Sequence, residues 1–372
     1  MISQSPPDRK PVLCGMSSEE LVAFLCPIAT YSESSRLSRV RGKQLAAWIY
    51  RKGAESFEEM TDLPVSLRKE LESRTVINSV RSVVSQKSND GVIKLLVESG
   101  GDNQRFECVL LPYENRVSCC LSTQVGCAMG CAFCATGLGG YDRNLTAGEI
   151  VGQYLLLQKL SSQRISHVVY MGMGEPLHNY DAVLKSLRLF HQEVGLSYRH
   201  ITVSTVGLVP QILRLAKERL PIHLAISLHS PFDSVRGQIM PVAKRWSVQE
   251  LLGACREYVS ATKRKITFEY LLLEGINDTV EQAEALSELV RGIPCFVNLI
   301  PFNYVETESG FRRPSPERIK RFRMTLERRG VAVTQRVERG QDIAAACGQL
   351  KGEHEGRFAR RRTLYALPSI SA

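Results

Sequence analysis

Cys127, Cys131 and Cys134, in the stretch Cys-Ala-Met-Gly-Cys-Ala-Phe-Cys, carry the densest chemistry in this chain. Thiolates at that spacing can all face one point from a single loop, as an iron–sulfur cluster requires. A [4Fe–4S] cubane is normally held by four cysteines, so three from one loop leave one iron free for a ligand that is not protein. That arrangement implies chemistry at the cluster rather than electron storage alone. Zinc is the competing reading. A structural zinc site pairs C-x2-C units with a second pair further along. Here three residues separate Cys127 from Cys131, and no distal C-x2-C or H-x3-H completes the set. A disulfide knot does not suit a chain that opens Met-Ile-Ser-Gln-Ser-Pro-Pro, with no apolar signal segment.

The elements that must hold this loop follow from the apolar pattern. Short β-branched runs occur at 117–122, 167–171, 201–204, 223–227, 266–272 and 296–300, with amphipathic segments of helix length near 146–160, 180–193, 208–218, 247–261 and 279–291. Six strand–helix repeats predict a parallel sheet with right-handed crossovers, an α/β fold. Each strand is followed by a polar signature: Gln124-Val-Gly-Cys127, Gly172-Met-Gly-Glu-Pro176, Thr205-Val-Gly207, His229-Ser-Pro231, Glu274-Gly-Ile-Asn-Asp278 and Asn303. In a closed or partial β/α barrel all of these face one mouth, at the C-terminal ends of the strands. Ordinary turns are the alternative, since Gly, Pro, Asn and Asp are turn residues. That suits Asn277-Asp278 better than Glu175, Ser204 or His229.

Before the repeats, residues 1–16 are polar and Pro-containing and are expected to fray, a disordered N-terminus. Ser17-Ser18-Glu19-Glu20 predicts a helix cap, and further helices are expected over 42–52 and 64–71, giving a small helical domain over 17–78. Strands over 80–86, 92–98 and 105–111, separated by Asn-Asp-Gly and Gly-Gly-Asp turns, predict a β-hairpin or meander over 79–112. The barrel core is then expected over 113–350, and a basic tail over 351–372.

A chain of 372 residues with 44% hydrophobic and 23% charged content can form one large domain with additions, or two domains. It has no run of eighteen apolar residues, so no membrane span is expected. The net charge of +10 favours a nucleic-acid partner. Basic residues cluster at Arg36, Arg39, Arg41 and Lys43, at Lys263–Lys265, and at Arg357 with Arg360, Arg361 and Arg362. Of the eleven cysteines, Cys14, Cys26, Cys108, Cys255 and Cys295 are expected to be small buried hydrophobes.

Cys127-x3-Cys131-x2-Cys134 and Gly172-Met-Gly-Glu-Pro176 resemble the cluster and cofactor signatures of radical S-adenosylmethionine (SAM) enzymes. Gln124-Val-Gly-Cys127, Arg143-Asn-Leu145, Ser204-Thr-Val-Gly207, Ser227-Leu-His-Ser-Pro231, Met240-Pro241 and Asp342-Ile-Ala-Ala-Ala-Cys-Gly-Gln-Leu350 narrow the resemblance to the RlmN/Cfr family of RNA methyltransferases. The similarity runs from about Gly42 to Leu350. It implies a partial (β/α)6 barrel with a small N-terminal helical domain. It also implies methylation of carbon 2 of adenine 2503 in 23S rRNA and of adenine 37 in tRNAs. Pro176 favours carbon 2 over carbon 8, because the carbon-8 branch has alanine there.

By this resemblance Cys127, Cys131 and Cys134 hold a [4Fe–4S] cluster whose fourth iron binds SAM. Gly174, Glu175, Ser204, Ser227, Leu228, His229 and Asn303 shape the SAM pocket. Cys347 carries the methyl group, two SAM molecules are used per turnover, and Cys120 resolves the protein–RNA crosslink through a transient disulfide with Cys347. Cys119, beside it, points to the opposite face of its strand and is expected to be structural. Glu107 aligns with a proton acceptor, although a Glu in a hairpin is ordinarily exposed. The implied partners are 23S rRNA, tRNA and an electron donor such as flavodoxin, for a cytoplasmic monomer. Carbon 2 lies between two ring nitrogens and is too electron-poor to attack the SAM methyl directly, which is why a one-electron route is needed.

Overall fold

The computed structural model describes residues 10–27, 35–305 and 310–351. The basic run at Arg357 and Arg360–Arg362 and all of the tail beyond Lys351 lie outside the described residues, as do residues 1–9.

Three helices open the chain: α1 (Ser18–Leu25), α2 (Ser35–Ala47) and α3 (Val65–Arg74). Ser17 and Glu20 form a reciprocal capping box that satisfies two N–H groups at the start of α1. α2 begins well before the segment expected over 42–52. It continues through one π-helical turn, Trp48–Lys52, and ends at Gly53, whose φ of 67° is the left-handed conformation of a helix stop. Its polar Ser/Arg-rich first half shows no apolar period, so only the second half is visible as a helix in sequence.

Residues 10–16, expected to fray, are fixed instead. Val12 bridges to Val76, Leu13 and Cys14 donate backbone N–H groups to Val76 O at 2.9 Å and Ile77 O at 2.8 Å, and both side chains are buried. Two apolar residues inserted in the core outweigh the polar composition of the segment.

β1 (Val80–Lys87), β2 (Ile93–Ser99), β3 (Arg105–Tyr113) and β4 (Arg116–Cys120) form an antiparallel meander. β5 (Gln124–Gly126) and β6 (Tyr141–Asn144) form a separate short hairpin, between which lie the cysteine loop and a one-turn helix, α4 (Ala135–Leu138). After α5 (Ala147–Leu160) come β7 (Ile165–Tyr170), α6 (Tyr180–Gln192), β8 (Ile201–Thr205), α7 (Val209–Glu218) and β9 (His223–Ser227). The chain continues through α8 (Asp233–Ile239), α9 (Val248–Thr262), β10 (Ile266–Leu272), α10 (Val280–Leu289), β11 (Cys295–Pro301), α11 (Pro316–Arg328) and β12 (Val333–Gln335).

β4 and β7–β11 are the six expected parallel strands, and β12 adds a seventh, too short to be read from an alternating pattern. One ten-stranded sheet results, in the order β1-β2-β3-β4-β7-β8-β9-β10-β11-β12, and its two ends do not pair. The meander is therefore not a separate unit: β3 pairs with β4 and extends the sheet of the partial barrel. β10 is buried almost throughout, as a parallel strand covered on both faces must be. Among the described residues no helix is long and apolar enough to cross a membrane.

Candidate active site

The cysteine loop leaves β5 through Gly126, at φ +74°, where a Cβ would stand 2.1 Å from Gly140 O, so only glycine permits this crossing. Cys127 N–H donates to Gly140 O at 2.6 Å, Ala132 N–H to Ile239 O at 3.0 Å and Cys134 N–H to Cys131 O at 3.2 Å. These bonds fold the loop so that Cys127, Cys131 and Cys134 all line one cavity of about 160 Å³ at the C-terminal ends of the strands. Burial raises the pKa of all three thiols. Each is therefore held as a neutral thiol until a cation replaces its proton. Among the described residues no three Cys, His, Asp or Glu side chains converge as ligands of one metal ion. A cubane asks for less convergence, because each thiolate binds a different iron. The donor set, three thiols on one loop around one cavity, fits such a cluster.

Glu175 faces the same cavity from the turn after β7 and is 2% exposed. Its two carboxylate oxygens accept N–H bonds from Leu177 at 2.9 Å and Val206 at 2.8 Å, and its own N–H donates to Gln124 Oε1 at 2.9 Å. Burial nonetheless lifts its pKa to about 7. A buried carboxyl in that condition gains most from a cationic ligand. Gly174, at φ +99°, sits so close to Gln124 that a Cβ would meet its side chain at 2.6 Å.

Ser204 and Ser227 line the cavity at the ends of β8 and β9. His229 accepts the Leu271 N–H on Nδ1 at 3.0 Å, which leaves Nε2 as the proton-bearing nitrogen. Burial drives its pKa down to about 3, so the ring is neutral. Its neighbour Phe133, from the cysteine loop, packs edge-on at 4.9 Å between ring centres. Asn277, taken as a turn residue, is fully buried and clamps this strand end: its side chain bonds Leu273 N, His229 O and Leu271 O.

Cys347 reaches the cavity from a loop far along the chain. Asp342 fastens that loop to the β1–β2 turn through Ser88 Oγ and Asn89 N–H. Asn303 donates to Cys347 O at 3.3 Å, Ala135 N–H to Gly348 O at 2.7 Å and Thr136 Oγ1 to Leu350 O at 2.6 Å. The loop is thus tied to the cysteine loop itself. Cys120 lines a small adjoining cavity of about 40 Å³ together with Cys347, and burial pushes its thiol up to about 12. Cys119 is buried near Cys108. All eleven cysteines are free thiols.

Two expected site residues are not on the cavity walls. Leu228 is fully buried behind the wall, its N–H donating to Glu269 O at 3.0 Å. Glu107 is not the exposed hairpin residue of the ordinary case. It is 4% exposed, pairs with Lys94 at 3.0 Å and accepts the Lys351 N–H at 2.7 Å, so it reaches the end of the Cys347 loop rather than the cavity.

Two further residues enter the site. Glu269 of β10 lines the cavity with its pKa raised by burial and accepts from Asn298 at 2.7 Å. A lone acid inside an otherwise apolar strand was the available signal. Arg336, just past β12, lines both cavities between Cys120 and Cys347, with Nη1 at 3.7 Å from Met171 Sδ. It carries no local motif.

Residues 121–288 match the family model of the radical SAM superfamily, and residues 13–77 match that of the ribosomal RNA large subunit methyltransferase N-terminal domain. A protein of Carboxydothermus hydrogenoformans, described as a probable dual-specificity RNA methyltransferase RlmN, is 47% identical over 91% of this chain and 97% of its own length. One of Symbiobacterium thermophilum with the same description is 47% identical over 93% of each. The crystal structure of a radical SAM methyltransferase from Sphaerobacter thermophilus superposes with a TM-score of 0.87 at 43% identity, covering 92% of this chain and 100% of that one. With its N-terminal helical domain, its open parallel barrel and the cysteine loop at the barrel mouth, this chain belongs to the RlmN family of radical SAM RNA methyltransferases.

Proposed function

We propose that the protein methylates carbon 2 of adenine 2503 in 23S rRNA and of adenine 37 in tRNAs, through a methyl-cysteine intermediate and two SAM molecules per turnover. The observation that carries this reading is a single cavity shared by Cys127, Cys131, Cys134, Glu175 and Cys347. The first three would hold a [4Fe–4S] cluster, leaving SAM a place beside it in the same cavity. When bound, the cluster supplies the electron that cleaves SAM and opens one-electron chemistry at an unreactive carbon.

The chain's own groups do the rest. The Glu175 carboxylate, already oriented by the Leu177 and Val206 N–H groups, receives the SAM ammonium. Gly174 keeps that turn close to Gln124, while Ser204, Ser227 and the Nε2–H of His229 offer polar contacts at the strand ends. Leu228 supports the pocket from behind its wall, with its N–H donating to Glu269 O and its carbonyl accepting from Arg236 Nε. Asn303 holds Cys347 through its carbonyl. The Cys347 sulfur takes a methyl from one SAM, leaving S-adenosylhomocysteine; that methyl then gives up one hydrogen atom to the 5′-deoxyadenosyl group that the second SAM would supply, and its carbon joins the adenine. Cys120, giving up the proton that burial holds on its thiol, then attacks that sulfur to form the transient Cys120–Cys347 disulfide, while the carbon–sulfur electron pair passes to the RNA carbon, which takes a proton and becomes the methyl group. Glu107 anchors the loop end by accepting the Lys351 N–H, and from there serves as the proton acceptor of the reaction. An acidic one-electron protein such as flavodoxin suits a chain of charge +10 as its electron donor, and in this reading the protein works as a cytoplasmic monomer.

An anaerobic assay tests the reading: reconstituted protein, SAM, a reductant and an RNA fragment bearing the target adenine, with nucleosides identified by mass spectrometry. 2-Methyladenosine is the expected product. 8-Methyladenosine, or SAM cleavage without methylation, overturns the assignment.

A further inference from the structure

Arg236, in α8, is 1% exposed and is the largest fully buried side chain among the described residues. A guanidinium in that position must be satisfied by charge or by acceptors, or its lost hydration goes uncompensated. Among the described residues no carboxylate is hydrogen-bonded to it. Asp233, the acid of its own helix, is turned to the Val248 N–H at 2.7 Å. The side-chain bonds of Arg236 all go to main-chain carbonyls: Nη2 donates to Val206 O at 2.6 Å and to Ser227 O at 3.4 Å, and Nε to Leu228 O at 3.1 Å.

Those three carbonyls lie at the C-terminal ends of β8 and β9, the strands that bring Ser204 and Ser227 to the cavity. Val206 is the link to Glu175, since its N–H donates to Glu175 Oε2 at 2.8 Å while its carbonyl accepts from Arg236. The next residue shows how closely the chain is drawn in. Gly207 has φ +102°, and a Cβ there would stand 3.3 Å from Arg236 Nη2 and 2.9 Å from Leu251 Cδ1. The Thr205–Val206–Gly207 turn is wrapped against the guanidinium. Arg236 lies behind the cavity wall and does not line it.

We infer that Arg236 is a positioning residue for SAM: its forked guanidinium clamps the ends of β8 and β9 to each other and, through Val206, fixes the carboxylate of Glu175. The inference rests on the reading of this cavity as the SAM site. A planar fork is what the geometry demands, because donors in two directions serve carbonyls on two strands. A lysine ammonium on a flexible stem keeps the charge and loses the fork. Charge alone therefore does not replace it.

The test uses the full-length, cluster-loaded protein as wild type, R236K and R236M. SAM affinity is measured by calorimetry, RNA affinity by filter binding, and KM for each substrate separately. The SAM-induced change in the EPR spectrum of the reduced cluster gives a signature of how SAM sits. Both variants are expected to weaken SAM binding and raise KM for SAM at least tenfold, with RNA affinity and KM for RNA within twofold of wild type and the EPR change diminished. R236K decides the matter if R236M does not fold. R236K with wild-type SAM affinity overturns the inference, and so does an equal loss of SAM and RNA binding, which would mark a merely structural role. Wild-type protein that binds no SAM sinks the functional reading beneath it before any variant is compared.

Discussion

At the scale of single residues, the site is built from groups held in states that a ligand relieves. Glu175 shows this most directly. Its pKa rises from 4.5 to about 7 on folding, so between those values the folded chain binds more protons than the unfolded one. Stability of the ligand-free protein should therefore fall as pH rises through that window, by up to about 3 kcal/mol. Glu175→Gln has no proton to lose. Urea unfolding at pH 5 and pH 8 should show a smaller drop in the variant, together with SAM affinity weakened at least tenfold; an equally steep drop would assign the pH dependence to another group. Gly174 tests the backbone in the same way. Gly174→Ala places a Cβ 2.6 Å from the Gln124 side chain and 2.8 Å from its nitrogen, at φ +99°. We expect a stability loss on the order of 1–3 kcal/mol, seen as a lower unfolding midpoint, and loss of SAM binding with iron content retained.

At the scale of elements, the decisive contact is between two loops from opposite ends of the fold. The Cys347 loop is pinned on one side by Asp342 to the β1–β2 turn and on the other by Ala135 and Thr136 of α4. The meander is thus a wall on which the Cys347 loop rests. Asp342→Ala removes the first pin only. In that variant, alkylation of Cys347 by iodoacetamide and tryptic cleavage after Arg339 should both speed up several-fold, with no change in cluster content. Unchanged rates would mean that the α4 contacts and the bonds of Arg339 and Gly340 to Asp90 hold the loop without Asp342.

At the scale of the whole molecule, the net charge of +10 is carried by a chain whose family substrates are RNA. The exposed Arg36 and Arg39 of α2 put part of that charge on the N-terminal domain, away from the cavity. Phosphate contacts of this kind release counterions and make affinity fall steeply with salt. The double variant Arg36→Glu/Arg39→Glu should bind RNA more weakly and with a shallower salt slope, while SAM affinity stays at the wild-type value. Filter binding across a salt series reads both. An unaltered slope would move RNA recognition off this helix.

Much of this protein is written locally. The three-cysteine loop, the Gly-Glu-Pro turn and the strand–helix alternation were all legible, because a loop or a repeat depends on spacings of a few residues and those are the spacings a sequence displays. The six parallel strands and the polar residues at their ends follow from that level. Tertiary structure decided what distance along the chain conceals: that residues 10–16 are anchored, that the meander continues the barrel sheet, and that Glu107 pairs with Lys94 beside the loop end. It also drew Arg336 to the cavity and Arg236 behind its wall, since nothing in their neighbours in sequence distinguishes a buried charge from a solvated one, whereas Glu269 did stand out as a lone acid in an apolar strand. Burial is a property of what packs against a side chain, and for these residues the packing comes from strands and loops far removed along the chain.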